Sequence, residues 1–270
     1  TLAETAGMDP IDTLVGLRGL ERGSVIVGGT DLHEFPEAVR GWVGHVGAED
    51  ALYDDMTVAG LLAWAAWLRL PGDHTLKERH ERVERVLADM ELTNHRDRAI
   101  ARLTGAQRMR VALGLELLTE PAVLCLDEPT RGLDPSESYH FLRLLRELAG
   151  KGRTVIASLR SVAHIDLFDR VAFLVDGRLA FFGRPGEALT HFDVERHEDL
   201  FHACREREAA EWRDRFRVSA VCRRFLPEYF VDRTEPTNVE PGVGRPLDGS
   251  ADFGAPPRVI PITRSEAPGS

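Results

Sequence analysis

The sequence predicts an α/β fold, a parallel sheet flanked by helices, and three observations carry that reading. The run Val123-Leu124-Cys125-Leu126 is short, continuous and apolar, as a parallel strand covered on both faces requires. It ends in adjacent carboxylates, Asp127 and Glu128, and so delivers them to the strand's carboxyl end, the usual ligand edge of an open α/β sheet. Upstream, Leu103-Thr104-Gly105-Ala106-Gln107 sets a hydroxyl and a glycine at the start of a helix, where free backbone N–H groups and the helix dipole favour an anion.

The elements follow in order. Ser24-Val25-Ile26-Val27 reads as a strand closed by a Gly28-Gly29 turn, and Trp42-Val43-Gly44-His45-Val46 as the next strand. Helices then take over at 58–70 and at 76–90, the second with Val83, Val86, Leu87 and Met90 at helical spacing. The helix after Thr104 covers about 106–118, and another covers 136–149, ending at Gly150-Lys151-Gly152. Residues 154–158 and 171–175 read as strands, and Asp176-Gly177 turns the chain into a further extended segment at 179–182. Beyond Phe192 the stretch 193–226 reads as a helical extension, charged and helix-prone over 197–217 with Leu200, Phe201, Trp212 and Phe216 as its apolar contacts. Residues 227–270, rich in Pro, Gly, Ser and Asp with little periodicity, read as a disordered tail or linker.

Composition narrows the function classes. A chain of 270 residues with 43% hydrophobic and 29% charged residues suits one good core, or one domain with an appendage. Its net charge of −10 leaves no basic field for neutralising a phosphate backbone, which speaks against general nucleic-acid binding. Cys125, Cys204 and Cys222 lack metal-ligand spacing, and a buried, reduced Cys125 fits a cytoplasmic setting. His164, His191, His197 and His202 form no metal-binding pattern either. The best candidate span, at 56–70, is about fifteen residues long and carries Arg69, so it reads as a buried amphipathic helix. No signal peptide is visible, so membrane association is expected through a partner or through a segment outside this chain. Trp64 and Trp67, three apart on that apolar helix, read first as packing residues, with a partner contact as the alternative.

Thr104-Gly105-Ala106-Gln107, the segment from Leu124 to Glu128, and Gly132-Leu133-Asp134, in that order and spacing, resemble the signature motif, Walker B motif and D-loop of ABC transporter nucleotide-binding domains. Gly177-Arg178-Leu179-Ala180-Phe181-Phe182-Gly183 looks like the closing part of G-type, White-like members and their bacterial relatives, and the resemblance covers roughly 16–225. It implies a P-loop NTPase-like parallel sheet core, an ABC-type domain over 1–192 and a helical subdomain at about 50–118. The N-terminal strands of that fold are missing from this reading. The implied cofactors are ATP and Mg2+. The implied partners are a second ABC nucleotide-binding domain and a transmembrane transporter domain or subunit, which would hold the chain at the inner face of the membrane. Such domains work as head-to-tail pairs, each ATP lying between one member's Walker motifs and the other's signature. On that pattern Thr104, Gly105, Ala106 and Gln107 face the partner's ATP, Asp127 ligates Mg2+, and Asp134 belongs to the nucleotide site. Glu128 either polarises the attacking water or is inherited and idle.

The pattern breaks at three places. The Walker A loop should fall within the opening residues TLAETAGMD, where Gly7, Met8 and Asp9 occupy the expected lysine and hydroxyl region, and no lysine precedes Lys77. At an effective dielectric of ~20 one unit charge at ~4 Å contributes roughly 4 kcal/mol, or about a thousandfold in affinity. The Q-loop position holds Ala48, and the switch-histidine position holds Arg160. Imidazole accepts a hydrogen bond or exchanges a proton near neutral pH, whereas guanidinium stays charged and only donates. These losses predict a degenerate nucleotide site within an exporter-like transporter. Two other readings stay open: a competent ATPase whose phosphate loop lies outside this sequence, and a non-catalytic regulatory or scaffolding protein.

Overall fold

The computed structural model describes residues 10–20, 23–48, 52–226 and the strand at 259–264. Helix α1 (Pro10–Leu14) is followed by a two-stranded ribbon, β1 (Ile26–Val27) and β2 (Thr30–Asp31), then α2 (Pro36–Val39) and β3 (Val43–Val46). Helices α3 (Val58–Arg69), α4 (Leu76–Asp89) and α5 (Gly105–Leu117) lead into β4 (Val123–Leu126), α6 (Pro135–Gly150) and β5 (Thr154–Leu159). Next come β6 (Val171–Val175), β7 (Arg178–Gly183), α7 (Pro185–Phe192), α8 (Leu200–Arg205), α9 (Ala209–Val218), α10 (Ala220–Phe225) and β8 (Val259–Arg264). The main sheet runs β3-β4-β5-β8-β6-β7, parallel throughout except for β7, which returns antiparallel along β6.

Local chemistry accounts for most element ends. Thr75 caps α4 with a reciprocal Thr75–Glu78 box, and Asp134 caps α6 with Glu137 in the same way. Thr57 accepts from the Gly60 N–H at 3.1 Å to start α3. Gly44 is glycine for space: a Cβ there would meet Leu124 Cδ2 at 2.9 Å and Pro121 Cγ at 3.0 Å. The three-helix region is tied to the sheet by Arg69, which grips both oxygens of Glu116 at 2.8 and 2.9 Å while Glu116 accepts the His45 N–H at 3.2 Å.

The structure corrects the tail reading. Val259–Arg264 lies in the stretch expected to be a disordered linker, yet it forms an interior strand of the main sheet. Its β-branched run, Val-Ile-Pro-Ile-Thr, was the available signal, masked by the composition around it. The rest of 227–258 and 265–270 lies outside the described residues, and so do Gly7, Met8 and Asp9. No strand precedes α1 among the described residues, and β8 fills the interior place between β5 and β6. The helix-prone stretch at 197–217 is divided, α8 ending before Glu206 and α9 beginning at Ala209. Trp64 and Trp67 are not core: they are 46% and 65% exposed, with Tyr53 edge-on to Trp64 at 5.7 Å.

The C-terminal helices share the core of the sheet. Trp212 and Phe216 are buried against Phe181, Phe192 and His191, the ring centroids lying 4.7–5.9 Å apart. Burial, with Arg215 adding to it, pushes the His191 imidazole down to about 4. The unfolded chain takes up that proton near 6.5 and the folded chain only near 4. Stability is therefore complete above pH 6.5 and declines as the pH falls towards 4, by about 3 kcal/mol at full extent. Denaturant midpoints between pH 7 and pH 4 should fall less steeply in His191→Leu than in the parent chain. Parallel slopes would show that another group dominates.

Candidate functional site

The site is assembled where β3, β4 and β5 end side by side. The Asp127 N–H donates to the carbonyl of Val46 at 2.9 Å, so the end of β4 is fastened to β3 just before Ala48. Ser158, buried on β5, uses both faces of its hydroxyl: it accepts the Glu128 N–H at 2.8 Å and donates to Asp127 Oδ1. Arg160 donates through Nε to Glu128 Oε1 in a close ion pair. Glu128 is 8% exposed, and its second oxygen, Oε2, is buried with no hydrogen-bond partner among the described residues. It also sits at φ 45°, in the left-handed region that costs a non-glycine residue roughly 1–2 kcal/mol. Its ties to Ser158 and Arg160 offset that cost.

Asp127, Glu128 and Arg160 are thus brought together, and Ala48 follows the strand that abuts them. Ser158 was not singled out from sequence. Its only signal was a hydroxyl inside an otherwise apolar strand, VIASL. A hard cation such as Mg2+ takes one or two carboxylates and fills its remaining positions with water or substrate phosphate. Asp127 and the unpartnered Oε2 of Glu128 fit that limited role. No group of three or more metal-ligating side chains occurs among the described residues.

The second constellation is the exposed N-terminal turn of α5. Thr104 and Gln107 cap it reciprocally: the Gln107 N–H donates to Thr104 Oγ1 at 3.3 Å and the Thr104 N–H to Gln107 Oε1 at 3.1 Å. Gln107 Nε2 also lies 3.1 Å from His95 Nε2. The box fixes the turn but leaves the first amides of the helix, at Gly105 and Ala106, aimed outward. Gly105 packs beside Leu133, next to Asp134, so the signature-like and D-loop-like segments adjoin. The Asp134 side chain accepts the Glu137 N–H at 2.8 Å, which makes it the cap of α6.

A parallel α/β sheet with paired acids at its carboxyl edge and a capped, outward-facing helix turn beside the next loop belongs to the P-loop NTPase class. Residues 11–131 match the family model described as ABC transporter. These residues match the ABC transporter family, and G-type transporters are among the relatives of this part of the chain. Its relatives include an ABC transporter ATP-binding/permease protein of Mycobacterium tuberculosis, 40% identical over 60% of this chain and 19% of that protein. The ABC transporter G family member 1 of Dictyostelium discoideum is 36% identical over 56% of this chain and 20% of its own. A broad substrate specificity ATP-binding cassette transporter of Bos taurus is 36% identical over 55% and 24%. The chain therefore spans about a fifth to a quarter of the length of these relatives. No helix among the described residues is long and apolar enough to cross a membrane.

Proposed function

We propose that this chain is the degenerate member of a pair of ABC nucleotide-binding domains in an exporter-type transporter. Its own site turns over slowly or not at all, and it lends the Thr104–Gln107 turn to ATP held by its partner. The observation that carries this reading is the ion pair between Arg160 and Glu128. A carboxylate that acts as a general base passes the proton on to a neighbour able to exchange it. Guanidinium is permanently charged and only donates, so it holds Glu128 Oε1 without relaying a proton. Asp127 is engaged by Ser158, whose hydroxyl donates to its Oδ1.

The α5 turn supports the other half of the reading. Its amides and positive dipole end are exposed, and the cap that fixes them is complete, so it can meet an anion brought by another subunit. ATP and Mg2+ then act at the composite site, and closure of the pair moves an attached membrane domain. The exposed Tyr53, Trp64 and Trp67 face of the three-helix region is suited to contact that membrane part, which would place the chain at the inner membrane face. Phosphate release by the purified chain alone should stay at background; sustained turnover would overturn the proposal.

A further inference from the structure

The middle of the sheet is closed by a segment that arrives from far along the chain. β5 and β6 do not pair with each other; β8 lies between them, parallel to both, with Ile262 opposite Ser158 on one side and Ala172 on the other. Without β8 the two strands would present open edges inside an apolar layer, because Val155, Ala157, Leu159, Val171 and Phe173 are all buried. Each buried backbone group left unpaired there costs about 1–3 kcal/mol. The slot therefore demands an extended, β-branched segment, and Val259-Ile260-Pro261-Ile262-Thr263 has that character.

Pro261, however, stands in the centre of this strand, opposite Ala157. Proline has no N–H to donate, which is why it is confined to edges, strand starts and bulges in ordinary sheets. The occupant is built with one ladder donor fewer than an interior strand can use. The chain between Leu226 and Val259 is roughly 30 residues, with a reach of about 100 Å when extended, so β8 enters as a tethered strand. We infer that the slot between β5 and β6 is a strand-docking site and that Val259–Arg264 is its removable occupant, completing the sheet by strand addition. Because β8 runs parallel to β5, its carboxyl end at Arg264 emerges at the edge that carries Asp127 and Arg160. Docking and release of the strand therefore change the surroundings of that edge.

Hydrogen exchange on the full chain tests this at the amides of Val155–Leu159 and Val171–Val175. Pro261→Val restores the missing donor and should slow exchange there about fivefold; Ile262→Asp should speed it by a similar factor while the helical circular-dichroism signal is kept. A labelled peptide spanning residues 257–266 should bind the Ile262→Asp chain and be excluded by the Pro261→Val chain. Equal exchange in all three chains would overturn the inference. So would cooperative loss of the helical signal in Ile262→Asp, or peptide binding that does not distinguish the two variants.

Discussion

Gly105→Asp is expected to abolish ATP hydrolysis by this chain paired with a competent nucleotide-binding domain, and to leave the chain itself folded. Gly105 is exposed, and a Cβ there would meet only Leu133 Cδ2, at 3.5 Å, an ordinary contact. A carboxylate in the first turn of α5 suits the helix dipole, so the change in stability should stay within about 0.5 kcal/mol. The same carboxylate would occupy the place offered to the partner's phosphates. At an effective dielectric of ~20, a like charge at ~4 Å costs roughly 4 kcal/mol, up to about a thousandfold in activity. Phosphate release by the mixed pair, alongside thermal melts of this chain, checks both halves. An active Gly105→Asp pair would mean that the turn does not touch nucleotide.

Trp212→Ala should produce the largest loss of stability among single changes in the C-terminal helices. Its side chain is 2% exposed and packs on Phe192 at 4.7 Å and His191 at 5.8 Å. Truncating a buried aromatic of this size costs about 3–5 kcal/mol, a fall in midpoint of roughly 10 °C for a domain of this length. Trp67→Ala, on the exposed face of α3, should change stability by no more than about 0.5 kcal/mol, a midpoint shift of about 1–2 °C. Equal effects of the two substitutions would show that α9 is not part of the core. The pair also separates stability from docking, because Trp67 should matter only once a membrane partner is present.

Much of the fold and half of the site were legible in the sequence, for reasons that are local. The apolar run before Asp127, the hydroxyl-and-glycine turn that opens the helix after Leu103 and the helical spacing of Val83, Val86 and Leu87 each depend on residues a few positions apart. What escaped depends on lateral register. Ser158 acquires its role because β5 lies beside β4, which puts its hydroxyl between the backbone of Glu128 and the carboxylate of Asp127, residues thirty and thirty-one positions away. The partner of Arg160 was hidden in the same way; the sequence showed a guanidinium at that position but not which acid it holds. β8 was obscured by the Pro- and Gly-rich stretch around it, since an interior strand containing proline contradicts the usual rule. Trp64 and Trp67 were misread because an apolar helix of that length is ordinarily buried all round, whereas α3 turns one aromatic face outward.

The acid pair Asp127 and Glu128 is expected not to run an ATPase cycle in this chain alone. Steady-state phosphate release by the purified chain, with saturating ATP and Mg2+ and with Glu128→Gln as the control, tests it most directly. The expected result is a rate at background that Glu128→Gln leaves unchanged, because Arg160 relays no proton from the carboxylate it pairs with. Multiple turnovers by the chain alone, lost in Glu128→Gln, would contradict it.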